Sequence, residues 1–385
     1  MIAQSQRVRA WPLVTMSAPV RRAAAVAVLG VLPLVTVVAL FLTTLQDDAV
    51  AFDFRVFYAA AEAVLAGDSP YQALDDDSAV VARGYVYPPL TAISVIPMTA
   101  LPLTAAGLLM MALLTAAVLA VPYVLGVHDW RCYGVLLLWP PVLSAIQTGS
   151  VTILLVLGAA LAWRWRDRTL LSAFAVGATL ATKLILWPLA VWMAATRRYA
   201  AAALGIVVAC VLVLGSWAAI GFAGLVDFPS VLQRLQDAVE LDSYTVFVVA
   251  LDAGAPEPLA RALWLAVGLG LLGAVVFTAR RGEERTAFIL AIAAALALTP
   301  IVWLHYFALL VAVVALAQPR LAVLWFIPLG MLVTPGSGQP TPFETSATLG
   351  VAVLTFTLAL VPSRGGVRSE ASLPEVERSR GAKSA

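Results

Sequence analysis

Charge is scarce in this chain. Only 12% of its 385 residues are Asp, Glu, Lys or Arg, while 62% are hydrophobic, and the mean hydropathy is +0.94. Soluble domains carry about a quarter charged residues, so a water-solvated globule is excluded. The net charge of +2 leaves no basic stripe or tail for nucleic acid. Cysteine is almost absent. Cys132 follows a polar turn and Cys210 lies in an apolar run, a spacing that provides neither a disulfide framework nor a cysteine metal site. Lysine occurs only at Lys183 and Lys383, and arginine supplies the other positive charges. No short repeat is evident.

Long uncharged runs are abundant. Hydrocarbon about 30 Å thick needs roughly 20 apolar residues per helix, and candidate spans cover 23–45, 103–125, 132–146, 151–163, 199–220, 258–278, 286–300, 305–317, 321–333 and 345–361. The stretch 169–196 is too long for one span, too short for two, and holds Lys183 at its middle, which points to a hairpin of half-helices. The expected fold class is an all-α polytopic membrane protein with about a dozen membrane segments, some of them half-helices. Three regions follow: a cytoplasmic segment 1–22, a membrane domain 23–361 with outer loops 46–89 and 221–257, and a tail 362–385 too polar to bury a core.

Arginine sets the orientation, because positive residues stay on the cytoplasmic side. Arg7, Arg9, Arg21, Arg22, Arg131, Arg164, Arg166, Arg168, Arg197, Arg198, Arg280, Arg281, Arg285, Arg320, Arg364 and Arg368 all fall on one side, which places both termini inside. The other side is acidic, with Asp47, Asp48, Asp53, Glu62, Asp68 and Asp75 to Asp77 in one loop and Asp227, Asp237, Glu240, Asp242, Asp252 and Glu257 in the second. Arg55, Arg83, Arg234 and Arg261 break the pattern. A cleaved leader ending at Ala49-Val50-Ala51 is disfavoured, since the apolar run before it is longer than a signal peptide needs.

In the first outer loop, Phe54, Phe57, Tyr58, Ala61, Val64 and Leu65 follow helical spacing that Gly67 can end, giving a one-sided helix expected to lie flat at the membrane surface. Asp53 has two readings: an N-cap for that helix, or a general base taking a proton from a sugar hydroxyl. Tyr85-Val86-Tyr87-Pro88-Pro89 begins a half-depth segment, lining either a lipid groove or an interfacial aromatic belt. A second surface helix is expected over 230–240. Lys183 either snorkels to the surface or, as a costly intramembrane charge, holds a phosphate. His305 could bind phosphate or orient a carboxylate, or be incidental.

Taken in order, Asp53-Phe54-Arg55-Val56-Phe57-Tyr58, Gly67-Asp68-Ser69-Pro70-Tyr71, Tyr87-Pro88-Pro89-Leu90, the Gly149 turn, 177–183 and 300–305 resemble glycosyltransferase family 87. The resemblance implies a C-type glycosyltransferase fold in a bacterial cytoplasmic membrane. It also implies inverting transfer of a sugar from a polyprenyl-phosphate donor to a lipid or glycan acceptor on the outer face. Mannose is the first expectation and arabinofuranose the alternative. Asp53 would then be the base, Arg55, Lys183 and His305 would stabilise the phosphate, and Tyr58 and Tyr87 would complete the substrate-binding set. No metal or cofactor is implied. Gly149-Ser150-Val151-Thr152 and Ile301-Val302-Trp303-Leu304-His305 depart from the family's usual Gly-Gln-Val-Asn-like and Ser-Trp-Asp-His-like stretches, and the polar motif often seen near 242–246 has no clear counterpart. A transporter would need coupled charges within its spans, whereas these carboxylates lie in loops. A non-catalytic scaffold is the third reading.

Overall fold

The computed structural model describes residues 17–46, 51–71, 84–334 and 339–361. Arg7, Arg9, Asp47, Asp48, Asp75 to Asp77, Arg83, most of the leader-like site at 49–51, and the tail from 362 with Arg364 and Arg368 lie outside them. Every regular element among the described residues is helical. Of the expected dozen membrane segments, five are helices long and apolar enough to cross a bilayer: Ala18–Thr43, Leu103–Val124, Tyr199–Ala219, Glu257–Arg280 and Pro342–Leu360. A sixth forms if Pro140–Thr148 and Thr152–Arg164, bent by 118° at their junction, are one broken span. Five shorter apolar helices accompany them. The chain is a multi-pass membrane protein.

The long helices turn apolar side chains outward. Leu34, Val35, Val207, Val211, Leu269 and Val353 are exposed, a pattern that hydrocarbon solvates and water penalises. The interior is built from shorter pieces. Glu284–Leu298 buries Ala287 to Ile289 and Ala291 to Leu296, and Leu304–Ala317 is buried on all sides. A helix apolar around its whole circumference belongs in the centre of a bundle.

Two expected spans are corrected. The run 132–146 is two helices, Trp130–Leu136 and Pro140–Thr148, because the Pro140-Pro141 pair lacks the N–H groups needed to continue the first. The run 321–333 forms 3-10 turns, Val323–Trp325 and Ile327–Val333, where Pro328 has no backbone donor. The broken hairpin is present. Thr169–Thr182 stops at an extended Lys183, and the chain restarts through Leu184–Leu186 into Pro188–Ala195.

The arginine-rich turns share one end of the bundle. Arg198 bonds Asp167 at 2.7 Å and Glu284 at 3.0 Å, and Arg166 reaches Glu284 at 3.3 Å. Elsewhere, the out-of-pattern Arg261 is neutralised by Glu240 at 3.1 Å and Glu257 at 2.9 Å.

Close backbone approach positions Lys183. A Cβ on Gly177 would stand 2.7 Å from both the Gly205 carbonyl oxygen and Val208, so Thr169–Thr182 and Tyr199–Ala219 pack at the distance that small residues allow. Gly177→Ala is expected to cost about 1–3 kcal/mol by overpacking. Thermal unfolding in detergent would show this as a lower midpoint, and an unchanged midpoint would mean that the two helices part freely.

Candidate active site

The site begins with the entry to Phe52–Ala66. Asp53 is not the helix cap: Ala51 occupies that position with φ 48°, no side chain caps the helix, and Asp53 sits in its first turn. The helix buries Phe54, Phe57, Tyr58, Ala60 and Ala61, and Gly67 ends it at φ 83°. Its apolar face is therefore covered by protein, packed on Pro89–Val95 and Ile96–Ala100.

The turn at Gly149 makes this packing possible. Gly149 has φ 70°, and a Cβ there would lie 2.7 Å from the Phe54 Cβ and 3.0 Å from that of Ala51. Any other residue would be strained in this conformation and would push the Asp53 helix away. The next residue, Ser150, is buried, hydrogen-bonds the Asp53 carboxylate and lies 3.2 Å from the Thr152 hydroxyl. Burial pushes the Asp53 carboxyl up to about 6, against the opposing influence of the Lys183 charge and the Ser150 hydrogen bond.

Lys183 does not snorkel. Its extended backbone breaks the helix, and Nζ donates to the Tyr87 hydroxyl at 3.2 Å and to the Tyr306 hydroxyl. It also lies 5.0 Å from the Tyr87 ring centre and 4.2 Å from that of Tyr306, within cation–π range of both. Tyr87 is fixed in turn. Its ring meets Phe57 edge-on at 4.9 Å, and its carbonyl accepts from the Tyr71 hydroxyl at 2.7 Å. Tyr85 donates to Pro88 O at 2.6 Å and accepts from Ala92 N at 2.9 Å. Tyr85 and Tyr87 are both buried, which rules out an interfacial belt for this pair.

The third element is the chain leading to His305. Val302 N–H donates to the buried Ser243 hydroxyl at 3.1 Å, and Tyr244 N–H donates to Val302 O at 2.9 Å. This brace feeds the 3-10 helix Leu304–Leu309, where His305 and Tyr306 are buried with ring centres 4.8 Å apart. His305 Nε2 lies 4.0 Å from Asp53 Oδ2, just beyond a direct hydrogen bond and close enough for a hydroxyl or water to bridge. Of the two functional readings of His305, orienting a carboxylate fits this distance.

Four expected residues, Asp53, Tyr87, Lys183 and His305, thus form one cluster. Tyr58 takes another job: its hydroxyl donates to Leu101 O at 2.9 Å and tethers the Asp53 helix. Arg55 is half-buried two residues beyond Asp53, and residues so spaced do not share a helix face. Sequence reasoning missed Tyr306, Ser150 and Ser243 as working parts. Tyr306 adjoins His305 and was the most findable, whereas Ser243 supplies the polar bracing at 242–246 that motif comparison could not see. No group of three His, Cys, Asp or Glu side chains converges among the described residues.

Tyr306→Phe removes a partner from the Lys183 ammonium and is expected to cost about 1.5–3 kcal/mol, the range for hydrogen bonds to charged groups. The double change with Tyr87→Phe is expected to exceed the sum of the singles, because it strands the ammonium. Thermal unfolding of the four proteins measures the coupling, and simple additivity would count against a shared clamp.

No curated protein and no solved structure matches the chain. Residues 85–304 match glycosyltransferase family 87, more than half the chain, including Tyr87 and Lys183. The matched region starts after Asp53 and stops one residue before His305, so those two lie outside the match and join the rest through the geometry above. This chain belongs to glycosyltransferase family 87.

Proposed function

We propose that this membrane glycosyltransferase, built on the C-type glycosyltransferase arrangement, moves a sugar from a polyprenyl-phosphate donor to a hydroxyl of a lipid or glycan acceptor. Mannose is the sugar we favour, transferred on the outer face of a bacterial cytoplasmic membrane with inversion at the anomeric carbon. The observation that carries this reading is the Asp53 carboxylate 4.0 Å from His305 Nε2, within the field of an ammonium gripped by two tyrosines.

In this reading Asp53 accepts the proton of the acceptor hydroxyl as its oxygen bonds to the anomeric carbon. The bond from that carbon to the phosphate oxygen breaks, and the phosphate leaves with the electron pair. Phosphate is already a good leaving group, so a second carboxyl acting as general acid is not required. Lys183 meets the charge that develops on the phosphate, and such a fixed cation is most effective where water is sparse. His305 holds the carboxylate in line. Ser150 steadies its other side.

A lipid donor also needs a place for its chain. An apolar cleft of about 280 Å³ runs between Glu257–Arg280, Glu284–Leu298 and Pro342–Leu360, lined by Leu271, Leu290, Leu296 and Phe356. It reaches Val302 and Phe307, which flank His305 in sequence. Isoprenoid carbons there would leave the phosphate beside the His305 segment.

Supplying membranes with radiolabelled polyprenyl-phosphate mannose or arabinose tests the assignment. Asp53→Asn is expected to lower transfer about 100-fold or more; undiminished transfer would remove Asp53 from the mechanism. In the wild type, kcat/KM should fall as pH drops below about 6, as the carboxylate takes up its proton.

Stability should move the other way. The folded carboxyl, at about 6, holds its proton more tightly than an unfolded one at 3.8, so the native state loses stability as pH rises through that interval. Asp53→Asn is therefore expected to raise the thermal midpoint at pH 8 relative to wild type and to leave it nearly unchanged at pH 4.

A further inference from the structure

Seven helices among the described residues end alike: the residue beyond the last turn adopts left-handed backbone, its N–H bonds the carbonyl three residues back, and the next N–H bonds the carbonyl five back. Six of them place glycine there: Gly67, Gly126, Gly149, Gly221, Gly254 and Gly282. The seventh, Pro188–Ala195, places Arg197 there at φ 64°. A side chain in that conformation crowds its own backbone, and such strain persists where the residue serves another purpose.

Arg197 lines a cavity of about 430 Å³ together with Arg280 and Tyr199, and Val191, Ala195 and Val276 contribute its apolar wall. Neighbouring arginines show what this end of the bundle does with cations that serve the fold: Arg198 and Arg166 are bound to Asp167 and Glu284. Arg197 and Arg280 have no carboxylate partner among the described residues. Two guanidiniums lining one cavity repel each other until an anion lies between them.

The cavity sits where two membrane-crossing helices, Tyr199–Ala219 and Glu257–Arg280, begin and end. Tyr199 is 66% exposed, and Phe277, one turn in from Arg280, is 55% exposed. Aromatic rings and arginines at helix ends sit at headgroup level, with apolar surface below them. We propose that this cavity binds the phosphate of an anionic phospholipid, both guanidiniums meeting its oxygens while the acyl chains lie along Val276 and Phe277. The site is separate from the sugar-transfer cluster. Glu284–Leu298, a helix of about 22 Å at 1.5 Å per residue, leads from the Arg198 network toward the His305 segment.

Thermal unfolding of the purified full-length protein in detergent, titrated with phosphatidylglycerol, phosphatidylcholine or inorganic phosphate, tests the proposal. Phosphatidylglycerol alone is expected to raise the midpoint saturably. Arg197→Gly is expected to raise the lipid-free midpoint, because glycine relieves the strained turn, and to weaken the phosphatidylglycerol response about tenfold or more, as losing a charge-assisted contact should. Arg280→Gln should weaken it similarly, and Arg320→Gln should not. An undiminished response in Arg197→Gly or Arg280→Gln, an equal loss in Arg320→Gln, or an equal effect of phosphatidylcholine or inorganic phosphate would overturn it.

Discussion

An ammonium buried among membrane helices must be satisfied by its neighbours, and the clamp of Tyr87 and Tyr306 on Lys183 meets that need. The surrounding architecture follows from it. The helix before Lys183 has to stop so that its backbone can turn extended, the loop carrying Tyr87 has to be pinned by Tyr71 and Tyr85, and the segment carrying Tyr306 has to arrive by a braced, non-helical path. These three irregular stretches therefore meet at the same cation.

Asp53 is set against this clamp by different means. At Gly149 a Cβ would strike Phe54 and Ala51, so glycine there lets its helix dock, with Ser150 against the carboxylate and His305 Nε2 4.0 Å from it. The same burial that raises its proton affinity makes it a stronger base than an exposed aspartate. The stability lost to a buried carboxylate is a recurrent feature of functional sites.

Much of this was legible in the residues. The spans 103–125, 199–220, 258–278 and 345–361 could be read because hydrocarbon thickness imposes a length that few other constraints mimic. Lys183 stood out for a related reason, since a charge within apolar sequence is costly wherever it ends up. Asp53, Tyr87 and His305 were reached through the ordered pattern of motifs rather than through any property of their own neighbourhoods. By contrast, 132–146 and 321–333 look like spans and are not, because a proline marks a break without saying whether the helix kinks or ends.

Composition and periodicity by themselves determined that the chain lives in a membrane, where its longest spans run, and that a charge at Lys183 is costly there. Tertiary structure decided that Tyr58 tethers rather than joins the cluster, that Tyr306 completes the lysine clamp, and that Ser243 holds the path to His305. The reason lies in range. Apolar burial depends on runs of neighbouring residues, whereas the contacts that build this site join residues about 60 to 250 positions apart, and no local spacing records them.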